Sequence, residues 1–111
     1  MSYDEELALR VRELIAAEKG LSETKMFGGL AFLIGGNMAI AASGEGGLLV
    51  RCDPGDTDEL VKNAGATVAV MRGKAMPGWL RVDDSRVTTK RELGRWVKRG
   101  VTYARSLPAK R

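Results

Sequence analysis

Histidine is absent from this chain of 111 residues, and cysteine occurs once, as Cys52. The absence of histidine removes the commonest general base and the commonest metal ligand, and one cysteine cannot form an internal disulfide. No apolar run approaches the ~20 residues that a membrane span needs. The acidic N-terminus has neither the basic nor the apolar part of a secretory signal. We therefore expect a cytoplasmic protein that holds no metal.

The length and composition are those of one globular domain, with 44% hydrophobic and 29% charged residues. We expect a single domain over residues 1–111. The net charge of +4 is distributed unevenly, because nine basic residues lie from Arg86 onward against one acid, Glu92. Such an asymmetry steers a partner, or a second copy, toward one side of the protein.

A helix is predicted near the start of the chain. Ser2-x-x-Glu5 has the pattern of a capping box and precedes apolar residues at helical spacing. The helix is expected to run from about Tyr3 to Lys19, with Gly20 as its left-handed cap.

The middle of the chain predicts strands joined by glycine-rich turns. The first runs from Lys25 to Ile34 and is expected to bend at Gly28-Gly29, where a bulge or a close backbone approach is indicated. A short helix that begins at Asp56 and ends at Gly65 follows the third strand. The other predicted strands are Met38 to Ala42, Leu48 to Cys52, Thr67 to Met71 and Trp79 to Val82.

The last helix has the clearest pattern. Thr89-x-x-Glu92 is a capping box, and the helix is expected to reach Ser106, ahead of Pro108. Its apolar stripe consists of Leu93, Trp96, Val97, Gly100 and Ala104. The order α-β-β-β-α-β-β-α predicts an α+β, two-layer sandwich with an antiparallel sheet.

Cys52 and the aspartates are the remaining candidates for catalysis. Arg51 would lower the pKa of a neighbouring thiol, but strand alternation places Arg51 and Cys52 on opposite faces, which favours a buried, inert thiol. The aspartates lie where turns and helix starts favour this residue: Asp53, Asp56, Asp58, Asp83 and Asp84. The glycine-rich segments lack the spacing of phosphate-binding loops. We expect no catalytic residue and no cofactor, and an enzyme that uses Cys52 or the aspartates is a remote alternative.

The basic side of the last helix is the strongest surface feature. It carries Arg91, Arg95, Lys98 and Arg105, opposite the apolar stripe. A solvated helix face often carries such residues, and without interleaved aromatic residues the pattern is weak evidence for nucleic-acid binding. Three interpretations stay open: a solvated face, the contact for an acidic protein partner, and a nucleic-acid contact.

Motifs along nearly the whole chain resemble the TfoX N-terminal domain family. The strongest is Lys25-Met26-Phe27-Gly28-Gly29 with Phe32, and Trp79, Trp96 and the closing segment from Tyr103 to Pro108 add to it. The resemblance implies a stand-alone α+β sandwich similar to secretion chaperones, which often dimerise, and it supplies no catalytic residues.

Two hypotheses follow. The first is a non-enzymatic, cytoplasmic protein-interaction domain, a homodimer, with a role in transcriptional regulation that the resemblance implies. The second is weakly specific nucleic-acid binding through the basic side of the last helix, which would weaken steeply with salt.

Overall fold

In the computed structural model, which describes residues 4–26, 28–44, 46–71 and 73–108, three helices pack on one sheet. The helices are α1 (Glu5–Ile15), α2 (Thr57–Ala64) and α3 (Lys90–Ser106). The strands are β1 (Leu21–Met26), β2 (Gly29–Ile34), β3 (Asn37–Ala42), β4 (Leu48–Arg51), β5 (Thr67–Met71) and β6 (Lys74–Val82).

All neighbouring strands are antiparallel, in the order β1-β2-β3-β4-β6-β5. The first four strands form a meander, and β6 lies between β4 and β5. Side chains of all three helices join one core with one face of this sheet, around Phe32, Ile40 and Leu80. The predicted α+β, two-layer sandwich and its order of helices and strand groups are confirmed.

The predicted strand from Lys25 to Ile34 is two strands. The chain reverses after Met26, which pairs with Gly29, so β1 and β2 form a hairpin instead of one bent strand. The close approach expected here is confirmed, because a Cβ on Gly29 would overlap the carbonyl oxygen of Ala42. Alternation alone does not distinguish a bend from a reversal, since Leu30, Phe32 and Ile34 share the core face in either case.

One helix boundary and one helix cap also differ from the sequence prediction. Helix α1 ends at Ile15 instead of Lys19, and the carboxylate of Asp4 caps it by accepting a hydrogen bond from the amide of Leu7 at 3.1 Å. The predicted capping residue Ser2 lies outside the described residues. Helix α2 does begin after Asp56 and end at a left-handed Gly65, but the Asp56 side chain makes no capping hydrogen bond.

The last strand is longer than predicted, because it begins at Lys74 instead of Trp79. Its register with β5 shifts between Val68, which pairs with Leu80, and Ala69, which pairs with Met76. The three residues between Met76 and Leu80 form a bulge in β6. The adjacent Pro77 and Gly78 indicate a loop in the sequence, but a bulge accommodates both residues without ending the strand.

Helix α3 lies across β3 and β4 with its apolar stripe buried, as predicted. Its capping box is present: the amide of Glu92 donates to the Thr89 hydroxyl, and the amide of Thr89 donates to the Glu92 carboxylate. At Gly100 the helix backbone approaches the sheet so closely that a Cβ would overlap the carbonyl oxygen of Ala39. Glycine at this position therefore sets the distance between the two layers.

We expect Gly100→Ala to destabilise the protein by about 1–3 kcal/mol, because the added methyl forces α3 away from β3. Gly94→Ala in the same helix is the matched control. A Cβ there meets no atom within 4 Å, so alanine should stabilise by about 0.5–1 kcal/mol through helix propensity. Urea unfolding measures both free energies, and equal effects of the two substitutions would show that the contact at Gly100 is not tight.

Candidate functional site

Three cations line the solvent side of α3. Arg91, Arg95 and Lys98 are exposed and stand at positions i, i+4 and i+7, so they form a line of about 10 Å along the helix. Within the described part of the chain, no hydrogen bond or ion pair joins these three side chains to another residue. We refer to these three residues as the basic ridge.

Arg105, the fourth predicted contact residue, is also exposed but has partners. Its Nη2 donates to the Glu18 carboxylate and, at 3.4 Å, to the carbonyl oxygen of Lys19. Both groups of the ion pair are partly exposed, so its contribution to stability is small. Arg105 thus links the end of α3 to the segment after α1, and the basic ridge has three members instead of four.

A groove of about 570 Å³ runs between α1 and α3 beside the basic ridge. Its apolar lining residues are Leu14, Val97 and Val101, of which the two valines are only 5% and 7% exposed. Lys98 and the ion pair between Glu18 and Arg105 line it as well. Gly94 also lines the groove and leaves it open, because no side chain projects there. Apolar surface next to unpaired cations is the composition of many protein-binding surfaces.

A second groove, of about 500 Å³, lies on the other side of α3. Arg95, Lys98 and Arg99 line it from the helix, and Asp53 and Asp56 line it from the loop after β4. The Asp53 carboxylate already accepts a hydrogen bond from the amide of Gly55 at 2.8 Å. Two members of the basic ridge, Arg95 and Lys98, therefore share this groove with two acids, which lowers its attraction for an anion.

Trp79 holds a cation at the end of the sheet. The guanidinium carbon of Arg51 lies 4.9 Å from the centre of the Trp79 ring and 5.5 Å from the centre of the Tyr103 ring. Leu80, the next residue, is fully buried in the core. The two neighbours therefore occupy opposite faces of the sheet, and Trp79 contributes to the structure by packing against Arg51.

Cys52 is buried, as predicted, with 2% of its surface exposed. Burial raises the pKa of its thiol, and a hydrogen bond with the Thr57 hydroxyl opposes this only in part. The Thr57 hydroxyl also accepts a hydrogen bond from the amide of Gly78 at 2.8 Å. Among the described residues, no group of three or more metal-ligating side chains comes together.

The motif that carries the family resemblance has structural roles. Gly28 is left-handed at the hairpin between β1 and β2, Gly29 allows the close approach to β3, and Phe32 is fully buried. Trp96 is 6% exposed and belongs to the core, whereas Lys25 is exposed. Phe27 and the side chain of Met26 lie outside the described residues.

A second apolar group lies outside the main core. The sheet face opposite the helices carries an apolar group, which we call the outer cluster: Ala31, Leu33, Met38, Ala41, Leu49 and Trp79. The signal was present in the sequence, since β2 and β3 have apolar residues on both faces. Strands of that kind are expected where both sides of a sheet are covered.

A six-stranded antiparallel sheet with three helices on one face defines a small α+β domain. The chain belongs to the TfoX N-terminal domain family, whose model matches residues 13–104. The matched range contains the motif from Lys25 to Phe32 and both tryptophans, and the suspected family is confirmed. No match is found among curated proteins or among solved structures. In the described ranges, no helix is both long and apolar enough to cross a membrane.

We expect the Cys52 thiol to react slowly in the native protein. The thiolate is the reactive form, and burial both raises the pKa and blocks access. Alkylation by iodoacetamide at pH 8 should be far slower in buffer than in urea that unfolds the chain, and mass spectrometry measures both rates. Equal rates would contradict the buried position and would return an active thiol to consideration.

Proposed function

We propose that this chain is a non-enzymatic, cytoplasmic interaction domain that acts as a homodimer and binds an acidic surface of a partner protein in transcriptional regulation. The observation that carries the proposal is the basic ridge. Arg91, Arg95 and Lys98 present three unpaired charges in one line on a rigid helix. Membership of the TfoX N-terminal domain family supports a competence-regulator-like context.

The neighbouring groove supports a protein as the partner. Exposed ion pairs contribute little affinity by themselves, so the ridge acts mainly by attracting and orienting an acidic partner. Affinity then has to come from apolar burial, for which the groove beside Lys98 offers the partly exposed Leu14, since Val97 and Val101 are only 5% and 7% exposed. A partner segment with apolar residues and an acidic flank fits both features.

Charge reversal tests the role of the ridge. We expect Arg95→Glu with Lys98→Glu to weaken partner binding strongly, because attraction becomes repulsion, while the fold is kept, since both side chains are exposed. Lys62→Glu with Lys74→Glu makes the same change in net charge at exposed positions away from α3. Quantitative co-purification compares the three proteins.

The expected result is a set of partners recovered by the wild type and by the Lys62/Lys74 variant but lost by the Arg95/Lys98 variant. Recovery of the same partners by all three proteins would show that the basic ridge is not the interface. Equal losses in both variants would show that only the net charge matters, which also contradicts a defined contact at the ridge.

Nucleic acid is the second candidate, favoured by the linear arrangement of the three cations. Three phosphate contacts give a salt slope of about −2.7, which is about a fortyfold loss of affinity between about 50 and 200 mM salt. Fluorescence anisotropy of a labelled DNA duplex measures this. Binding that persists at the higher salt and is lost with Arg95→Glu would assign the ridge to DNA, and no binding at either salt excludes this candidate.

A further inference from the structure

Strand β5 forms one edge of the sheet and lacks the residues that usually protect an edge. It pairs on one side only, with β6. Its sequence from Thr67 to Met71, Thr-Val-Ala-Val-Met, contains no charged residue and no proline. Soluble proteins commonly place such residues on edge strands, because the unpaired amide and carbonyl groups of an edge are a template for a further strand.

The opposite edge of the same sheet is protected in this way. Strand β1 carries Glu23 and Lys25. Arg12 of α1 donates two hydrogen bonds of 2.8 Å to the Glu23 carboxylate, so this edge strand is both charged and tied to a helix. The two edges therefore differ, and β5 is the edge suited to pairing with an apolar strand.

The core is only partly covered at the β5 edge. Val61 and Ala64 on α2 and Val68 on β5 pack against the core but stay partly exposed. Val70 lies on the same face of the strand as Val68, two residues further on, and is 63% exposed. One exposed valine needs no explanation by itself. Here it continues a group of partly covered apolar residues, so an apolar strand added at this edge would extend the core.

The sequence of β5 is symmetric about Ala69, which favours a second copy of this chain as the added strand. In an antiparallel pairing centred on Ala69, Val68 lies opposite the partner's Val70, and the reverse pair forms as well. Thr67 then lies opposite the partner's Met71. Pairs of β-branched residues stabilise a sheet, and a two-fold contact requires a surface that complements itself. An unrelated strand gains nothing from this symmetry.

The charges beside β5 permit this pairing although each copy has a net charge of +4. The cations that flank β5 in the sheet are on β6, where Arg81 pairs with Thr67 and Lys74 pairs with Met71. In the paired sheets, Arg81 and the partner's Lys74 would stand at the two ends of a row across four strands, about 14 Å apart. The Debye length is about 8 Å at physiological salt, so this repulsion is largely screened.

We propose that β5 pairs antiparallel with β5 of a second copy about a two-fold axis, which joins the two six-stranded sheets into one. The proposal rests on the homodimer of the proposed function but not on the basic ridge. Because paired residues point to the same face, the helices of both copies lie on one side of the joined sheet. Both basic ridges then face the same way, so one dimer presents two sites to an acidic partner.

Sedimentation equilibrium over a concentration series tests the interface. The wild type is expected to fit a monomer–dimer equilibrium. In the proposed register the two copies of residue 70 are diagonal neighbours about 7–8 Å apart, within reach of long side chains. Val70→Lys therefore brings two like charges together, and it should raise the dissociation constant about tenfold or more. Leu9→Lys is the matched control, since Leu9 is 52% exposed on α1, and it should leave the dissociation constant unchanged.

A mixture of two variants tests the contact across the axis. Val70→Glu should also weaken self-association, because it too pairs like charges. An equal mixture of Val70→Lys and Val70→Glu should associate about tenfold more tightly than either variant alone, since opposite charges then meet. The mixture of Leu9→Lys and Leu9→Glu controls for attraction between whole molecules of different charge. Circular dichroism checks that each variant is folded, and recovery in the mixture cannot come from an unfolded variant.

A dimer that is weakened by both Val70 substitutions, recovered in their mixture and unchanged by the Leu9 substitutions supports the interface. A dimer that resists Val70→Lys would overturn the interface while leaving the homodimer in place on another surface. Equal effects at Val70 and Leu9 would overturn it as well, because only net charge would matter. A wild type that stays monomeric at every concentration would overturn both the interface and the homodimer. The partner role of the basic ridge is tested separately by the Arg95 and Lys98 variant.

Discussion

The close packing of α3 on the sheet is the contact on which the other features depend. The backbone at Gly100 touches the carbonyl group of Ala39, and no other residue type fits between them. This packing buries Leu93 and Trp96 in the core and directs the opposite side of the helix to solvent. The Asn37 amide, which donates to the Pro108 carbonyl oxygen at 2.9 Å, fixes the far end of the helix on the turn between β2 and β3.

The family motif acts through the same layer. Gly29 permits β2 to approach β3, just as Gly100 permits α3 to approach it, and Phe32 fills the core between them. None of these residues supplies a reactive group. The motif therefore fixes the packing within the sheet and the core, and the functions of the surface depend on residues outside it.

The two sides of the fold differ in chemistry. The basic ridge is charged and hydrated, so it attracts and orients a partner of opposite charge. The outer cluster on the opposite face of the sheet is apolar and already largely buried, with Ala31, Met38 and Ala41 at most 6% exposed, so it stabilises the sheet by excluding water.

The sequence by itself determined α3, the α+β class and the family, because capping, helical periodicity and a specific motif are local signals. The tertiary structure decided the rest. Contacts between residues distant in sequence gave Arg105 an acid 87 positions away, turned one predicted strand into the β1–β2 hairpin, and placed a bulge at Pro77. The tertiary structure also assembled the outer cluster from four strands, since strand order and register set which apolar residues share a face.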